Sequence, residues 1–302
     1  MKPQFQHEAT TSFSLWLDNY FLKKGEAFSN IQEGEMFYKE DFRIPQYPED
    51  PFGYVTYSSE YKQWVYNKDL DNAKIPEGVY VDSGDGYKYV KKGENGLSID
   101  FDNGRILLSG IYYQETYSDL KIKTDFSIKD INVYLASETE ENIILEKKYN
   151  TNSRSIPDYG KGTGIPPYEP VVPAAFISME RTNNRPFALG GEDLTTLYFR
   201  TILFTENLYQ LDGAMSLCAD ACNLGVCNIG YDNYPLNEYG DLKDSDFYYS
   251  KTVNECAAAP NIMFIESVNS SKINDRISSS NNPSLHLGYI DFTVSQARFP
   301  RA

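Results

Sequence analysis

The sequence predicts an α+β fold: an N-terminal helix with an antiparallel β-rich domain, a Pro/Gly-rich arm, and an α+β domain with a helix packed on a mixed or antiparallel sheet. Two stretches repeat their apolar residues with helical spacing, and several shorter stretches alternate apolar and polar residues. The composition, 41% hydrophobic with 25 Tyr and 17 Phe in 302 residues, is sufficient for a core and favours strands.

Residues 12–24 have the spacing of an amphipathic helix. Large apolar residues recur at positions i, i+3, i+4, i+7 and i+8: Phe13, Trp16, Leu17, Tyr20 and Phe21. Ser12 is a suitable N-cap residue, and Gly25 is suited to the end of the helix. We therefore expect a helix with one strongly aromatic face.

The next segment has the pattern of short strands joined by turns. Residues 36–95 are rich in Tyr, Pro, Gly and acidic residues, and Gly84-Asp85-Gly86 is a clear turn sequence. Residues 97–101 then alternate apolar and polar side chains, and residues 105–108 form an apolar run. Between these two runs, Asp102-Asn103-Gly104 supplies residues that tolerate positive φ, which predicts a β-hairpin.

A second pair of strands is predicted at residues 131–135, which alternate apolar and polar side chains, and at residues 142–145, which include a short apolar run. These strands complete the first predicted domain, residues 1–149.

The segment from residue 150 to residue 174 is predicted to be an extended linker or arm. It holds five Pro and three Gly between positions 157 and 173. Proline and the residue before it favour extended conformations, so the segment is stiff enough to lie along a neighbouring subunit. The candidate interface residues are its two tyrosines and the adjacent proline pair: Tyr159, Pro166, Pro167 and Tyr168.

Residues 175–302 form the second predicted domain. Strands are predicted at residues 175–179, 198–204, 261–265 and 285–294, where apolar and β-branched residues are frequent. A polar loop precedes the third of these strands.

A helix is predicted at residues 206–222, with Thr205 as its N-cap. Five residues of this segment share one helical face and are predicted to be buried: Leu208, Leu211, Met215, Cys218 and Cys222.

Charge and composition exclude several classes of function. The chain carries 28 Lys and Arg against 43 Asp and Glu, a formal charge of −15, which disfavours a general nucleic-acid binder. No apolar run approaches the roughly 18 residues of a membrane span, and the first residues lack the apolar segment of a signal peptide. We expect a protein made in the cytoplasm whose four cysteines are thiols.

No short motif indicates an enzyme, a cofactor or a metal site. The loop at residues 160–164 is rich in glycine, but Pro166 and Pro167 prevent the helix start that a phosphate-binding loop requires. The cysteine spacing fits no zinc knuckle, and the two histidines are isolated. Acidic clusters near positions 69, 82 and 241 lack the calcium-loop pattern, so we interpret them as solvated turns.

Longer segments carry a family resemblance. The strings GLSIDFDNGRILLSG, DFSIKDINVYLASETEENIILEKKY, RPFALGGEDLTTLYFRTILFTENLYQLDGAMSLCADA, YPLNEYGDL and HLGYIDFTVSQARFPR resemble structural proteins of tailed-bacteriophage virions. Among such proteins, the segments resemble neck or tail-completion (tail terminator) proteins of marine, cyanophage-like contractile phages. The similar segments cover about half of the chain, mostly residues 96–149 and 185–301.

The resemblance implies a virion protein at the head-to-tail junction that forms a ring, most commonly a hexamer. Its partners would be adjacent neck proteins and tail tube or sheath proteins, with genomic double-stranded DNA as a non-specific passenger and no membrane. Two alternatives belong to other classes. One is a tail-tip or fibre-associated module that binds host glycans through tyrosine surfaces, and the other is a β-rich hydrolase.

Overall fold

A computed structural model describes residues 4–39, 54–109, 120–145, 149–151, 170–187, 191–256, 261–273 and 285–299. Its helices are Phe5–Lys24 (α1), Glu140–Leu145 (α2), Leu208–Ala219 (α3) and Tyr249–Cys256 (α4). Its strands are Phe28–Lys39 (β1), Tyr54–Ser58 (β2), Gly78–Asp82 (β3), Tyr87–Lys91 (β4), Ser98–Asp100 (β5), Arg105–Ser109 (β6), Lys121–Lys129 (β7), Asn132–Leu135 (β8), Asn150–Thr151 (β9), Val171–Val172 (β10), Ala174–Pro186 (β11), Asp193–Thr205 (β12), Gly225–Cys227 (β13), Ile262–Lys272 (β14) and His286–Arg298 (β15). Of these helices, none combines the length and the hydrophobicity of a membrane span.

The predicted N-terminal helix is confirmed, and it begins earlier than the sequence indicated. α1 starts at Phe5, where the backbone N–H of Gln4 donates to His7 Nδ1 at 3.1 Å. It ends as expected, because the N–H of Gly25 donates to the carbonyl of Phe21 at 2.9 Å. Its second half is buried on almost all sides, since α1 lies between two hydrophobic cores rather than on the surface.

A seven-stranded antiparallel sheet forms one side of the molecule. Its strand order is β4-β3-β7-β1-β2-β6-β5, and the predicted β5–β6 hairpin is confirmed. Gly104 takes the positive φ of that hairpin turn, at 62°. The core under this sheet contains Trp64, Phe101 and Phe126, with Leu15 of α1 packed among them.

A six-stranded mixed sheet forms the other side. Its order is β13-β14-β15-β12-β11-β8, where β8 and β11 are parallel and all other neighbours are antiparallel. α1 and α3 pack on one face of this sheet around Phe199 and Phe292. Phe13 of α1 stacks on Phe199 with ring centroids 4.4 Å apart. The predicted α+β class, with a helix on a mixed sheet, is confirmed.

Several local expectations were wrong. Ser12 lies inside α1 and is buried, so it is not the N-cap, which is Gln4. Residues 142–145 lie in the short helix α2 and not in a strand, because a short apolar run fits either structure and its surroundings decide. In α3 the N-cap is Asn207 and not Thr205, since Asn207 Oδ1 accepts from the N–H of Gln210 at 2.8 Å.

The buried face of α3 is also narrower than predicted. Leu211, Met215 and Cys218 are buried, as expected. Leu208, the first residue of the helix, is exposed, and Cys222 is exposed because the helix ends at Ala219.

The two halves of the chain interlock. Strand β8, from the first half, extends the six-stranded sheet, and residues from Cys227 to Phe247, from the second half, join the core of the seven-stranded sheet. At the end of the predicted arm, Val171 and Val172 are fully buried and pair with β9. The division into residues 1–149, 150–174 and 175–302 stays a prediction, and the described contacts cross it.

Candidate functional site

The interface residues predicted from the sequence, Tyr159, Pro166, Pro167 and Tyr168, lie outside the described residues, as does the glycine-rich loop at 160–164. Their proposed contacts therefore stay predictions.

The acidic clusters have structural partners. Asp82 Oδ1 accepts backbone N–H groups from Gly84 and Gly86, which closes the β3–β4 turn. Asp69 accepts from the hydroxyl of Ser250 at 2.8 Å in the first turn of α4. Within the part of the chain that the structure describes, no group of three His, Cys, Asp or Glu side chains is arranged to hold a metal ion.

A buried ion pair connects α1 to the seven-stranded sheet. Lys129 Nζ lies 2.9 Å from Asp18 Oδ2, and the two side chains are only 4% and 7% exposed. The ammonium group also lies 4.9 Å from the ring centre of Tyr66. Burial raises the pKa of the nearby Asp102 to about 6, while the positive charge of Lys129 opposes that rise. The arrangement holds the helix against the sheet.

Two sheet edges that are unpaired among the described residues form a candidate interaction surface. β8 pairs with β11 only along residues 174–177, and β13 pairs with β14 only along residues 262–264. Along residues 178–186 the only described strand that pairs with β11 is β12, and along residues 267–272 the only described strand that pairs with β14 is β15. Free backbone groups on such edges can accept a strand from another chain.

The outward-facing groups of β11 follow from its hairpin with β12. The N–H of Phe187 donates to the carbonyl of Glu192 at 2.9 Å, across the hairpin. Because N–H directions alternate along an antiparallel strand, the N–H groups of Asn184 and Thr182 point to the free side. Pro186 occupies the third outward position and has no N–H to donate.

The outward-facing groups of β14 follow from its pairing with β15. The N–H of Ile273 donates inward to the carbonyl of Leu287, next to β15, at 3.0 Å. The N–H groups of Lys272, Ser270 and Val268 therefore point to the free side.

The two free stretches lie at opposite edges of the sheet and near opposite ends of its strands. Lys272 of β14 pairs with Gly288 of β15, which lies level with the start of β11, whereas the free part of β11 extends to Pro186. Strand direction alternates through β14, β15, β12 and β11, so β14 runs antiparallel to β11. If two copies of the chain lie side by side in the same orientation, β14 of one copy meets β11 of the next. The two strands then run antiparallel to each other.

A second surface feature is a group of tyrosines on the outer face of the seven-stranded sheet. Tyr80 of β3 and Tyr89 of β4 are cross-strand partners, 45% and 51% exposed, with ring centroids 5.1 Å apart. Tyr87 is exposed on the same hairpin, and Lys123 Nζ lies 4.5 Å above the centre of its ring. We call Tyr80, Tyr87 and Tyr89 the tyrosine platform.

No protein-family model matches the chain, and a search of curated proteins gives no significant match. The resemblance to phage neck proteins therefore rests on the segments quoted above.

The sequence alone specifies neither the edges of β11 and β14 nor the tyrosine platform. The spacing of Tyr87 and Tyr89 is visible in the sequence, but their exposure depends on which face of the sheet is covered. The outward donors Asn184 and Ser270 carry no local signal, because the pairing register of distant strands determines which way they point.

Proposed function

We propose that this chain is a structural component of a phage virion at the head-to-tail junction, a neck or tail terminator protein that assembles into a ring around the path of the genome. The segments that resemble phage virion proteins support the class of protein. The observation that carries the assembly step is that β11 and β14 each have an edge left unpaired by the described strands, and that the two strands run antiparallel to each other.

Contact between two different edges is heterologous, since each copy uses one surface to bind the next copy and another to bind the previous one. Heterologous contacts produce a closed ring when the rotation between copies returns to the start. A contact between identical edges would stop at a dimer.

The charge of the chain suits a passage for DNA. Six copies at −15 each would carry about −90, and an acidic lumen repels phosphate groups, so DNA would slide without sticking.

Proline replacements at outward N–H positions test the assembly step. Ser270→Pro removes one outward donor from β14, and Asn184→Pro removes one from β11, while the inward hydrogen bonds are retained. Native mass spectrometry should show a ring for the wild type and monomers for each proline variant. An equimolar mixture of the two variants should give a 1:1 dimer, because each variant keeps the edge that the other lacks.

Ser270→Ala and Asn184→Ala are the matched controls, since both keep the N–H and should form rings. Thermal unfolding of all four variants verifies that the fold is retained. A monomeric wild type, or a folded Ser270→Pro protein that still forms rings, would contradict edge-to-edge assembly. A reconstruction of the virion tests the location, because a neck protein occupies one axial position and a fibre-associated protein a peripheral one.

A further inference from the structure

We propose that the tyrosine platform is a binding site for a neutral oligosaccharide. This inference is independent of ring assembly, because the platform lies on the seven-stranded sheet and the free edges lie on the six-stranded sheet.

Neighbouring residues hold the rings of Tyr89 and Tyr80 in place. A Cβ atom at Gly78 would lie 2.8 Å from Cζ and Oη of Tyr89, so the ring of Tyr89 covers the strand where Gly78 has no side chain. Tyr80 is fixed beside Tyr89 by their cross-strand pairing. Exposed rings that are already ordered lose little side-chain entropy when a ligand packs on them.

Hydrogen-bonding groups of both signs surround the rings. Lys123 lies beside Tyr80 in the register of β7 and β3, and its ammonium group forms an ion pair with Glu33 at 2.6 Å. Asp82 lies opposite Tyr87 in the same hairpin. Binding sites that combine aromatic packing surfaces with a few polar groups orient a ligand through its hydrogen bonds.

These features favour a sugar over other ligands of aromatic surfaces. The apolar C–H face of a pyranose ring packs on an aromatic ring, and its hydroxyl groups both donate to carboxylates and accept from ammonium groups. A single-stranded nucleic acid also stacks on aromatic side chains, but the ammonium group of Lys123 is already paired with Glu33, and the net charge of −15 disfavours binding of phosphates. A proline-rich peptide presents a mainly apolar surface and would make few hydrogen bonds to the polar groups beside the rings.

Saturation-transfer NMR on the intact protein tests the proposal. The probes are di- to tetrasaccharides of glucose, galactose, mannose and N-acetylglucosamine, and affinities follow from titration calorimetry. We expect at least one probe to bind, and Tyr89→Ser to weaken that binding at least tenfold. Tyr89→Phe keeps the ring and should change the affinity less than threefold.

Tyr209→Ser is the matched control, because Tyr209 lies on α3 and is 89% exposed. It should leave sugar binding unchanged. Thermal unfolding verifies that Tyr89→Ser is folded, and Tyr87→Ser, which removes another exposed ring of the platform, gives an independent reading if it is not. Absence of binding by every probe would overturn the proposal, as would equal loss in Tyr89→Ser and Tyr209→Ser. Binding of a peptide with the sequence of residues 154–170 at the platform, in place of the sugars, would overturn it in favour of an arm contact.

Discussion

Replacing Lys129 by Met isolates the energetic role of the buried ion pair. The side chains of methionine and lysine are similar in length, so Lys129→Met removes the charge and creates little empty space. It leaves the carboxylate of Asp18 buried, with Oδ1 already lacking a hydrogen-bond partner among the described residues. The carboxyl group of Asp102, whose pKa Lys129 lowers, loses its nearby positive charge as well.

The expected loss of unfolding free energy follows from these surroundings. Removing one partner of a buried ion pair typically costs about 3–5 kcal/mol, because an uncompensated charge stays in the interior. The cost of Lys129→Met should be near the upper end of this range, since two nearby carboxyl groups then lose the same positive charge. Asp18→Asn should cost less, since Lys129 still lowers the pKa of Asp102. The double variant Lys129→Met/Asp18→Asn removes both charges of the pair. Its unfolding free energy should fall by only about 1–2 kcal/mol.

Urea unfolding followed by tryptophan fluorescence measures these differences, because Trp16 and Trp64 are both buried. The double-mutant cycle should give a coupling energy of at least about 2 kcal/mol. Lys251→Met is the control, since the exposed pair of Lys251 and Glu255 should change stability by less than about 0.5 kcal/mol. A cost below about 1 kcal/mol for Lys129→Met, or additive single variants, would refute the reasoning.

Four further outcomes are expected. Gly104→Ala should cost at least about 3 kcal/mol in thermal or urea unfolding, because φ is 62° and the added Cβ would lie 1.9 Å from the carbonyl oxygen of Tyr61. The pKa of Asp102 is about 6 in the folded protein and near 3.9 in the unfolded chain, so the unfolded chain loses this proton first as pH rises. The neutral carboxyl group therefore contributes fully to folding stability below pH 4, and this contribution is lost as pH rises through 6. Asp102→Asn should therefore remove up to about 3 kcal/mol of pH dependence in urea titrations between pH 4 and 7. A thiol reagent should label the exposed Cys222 in the native protein and four groups after unfolding without reductant, whereas two or fewer would contradict the thiol prediction. Replacing residues 152–169 by a short Gly/Ser linker should leave the melting temperature nearly unchanged and prevent incorporation into virions; normal incorporation would contradict the arm prediction.

Local patterns were sufficient for some elements. The helical spacing around Trp16 and the turn sequence ending at Gly104 each specify a structure within a few residues, and both were predicted. Residues 142–145 were predicted incorrectly, because a short apolar run does not distinguish a strand from one turn of helix.

The candidate surfaces and the ion pair depend on contacts between distant residues. Lys129 meets Asp18 across 111 positions of the chain, and the charges of both residues resemble those of surface residues in the sequence. In β11, the hydrogen bond from the N–H of Phe187 to the carbonyl of Glu192 fixes the register that points the N–H of Asn184 outward. A shift of one residue in pairing reverses such directions, which is why a single sequence could not specify them.

The contacts between the two halves of the chain keep the subunit rigid, and a closed ring requires a rigid subunit. A heterologous ring closes only if every copy holds its two contact edges at the same angle, and a hinge within the subunit would allow open or mixed assemblies. Both proposed edges belong to one sheet, and α1 ties that sheet to the other core through Phe13 on one side and Asp18 on the other. Loosening this connection by Lys129→Met, while the edges stay intact, should broaden the distribution of ring sizes in native mass spectra. An unchanged single ring size in a measurably destabilised but folded variant would show that the six-stranded sheet alone sets the angle.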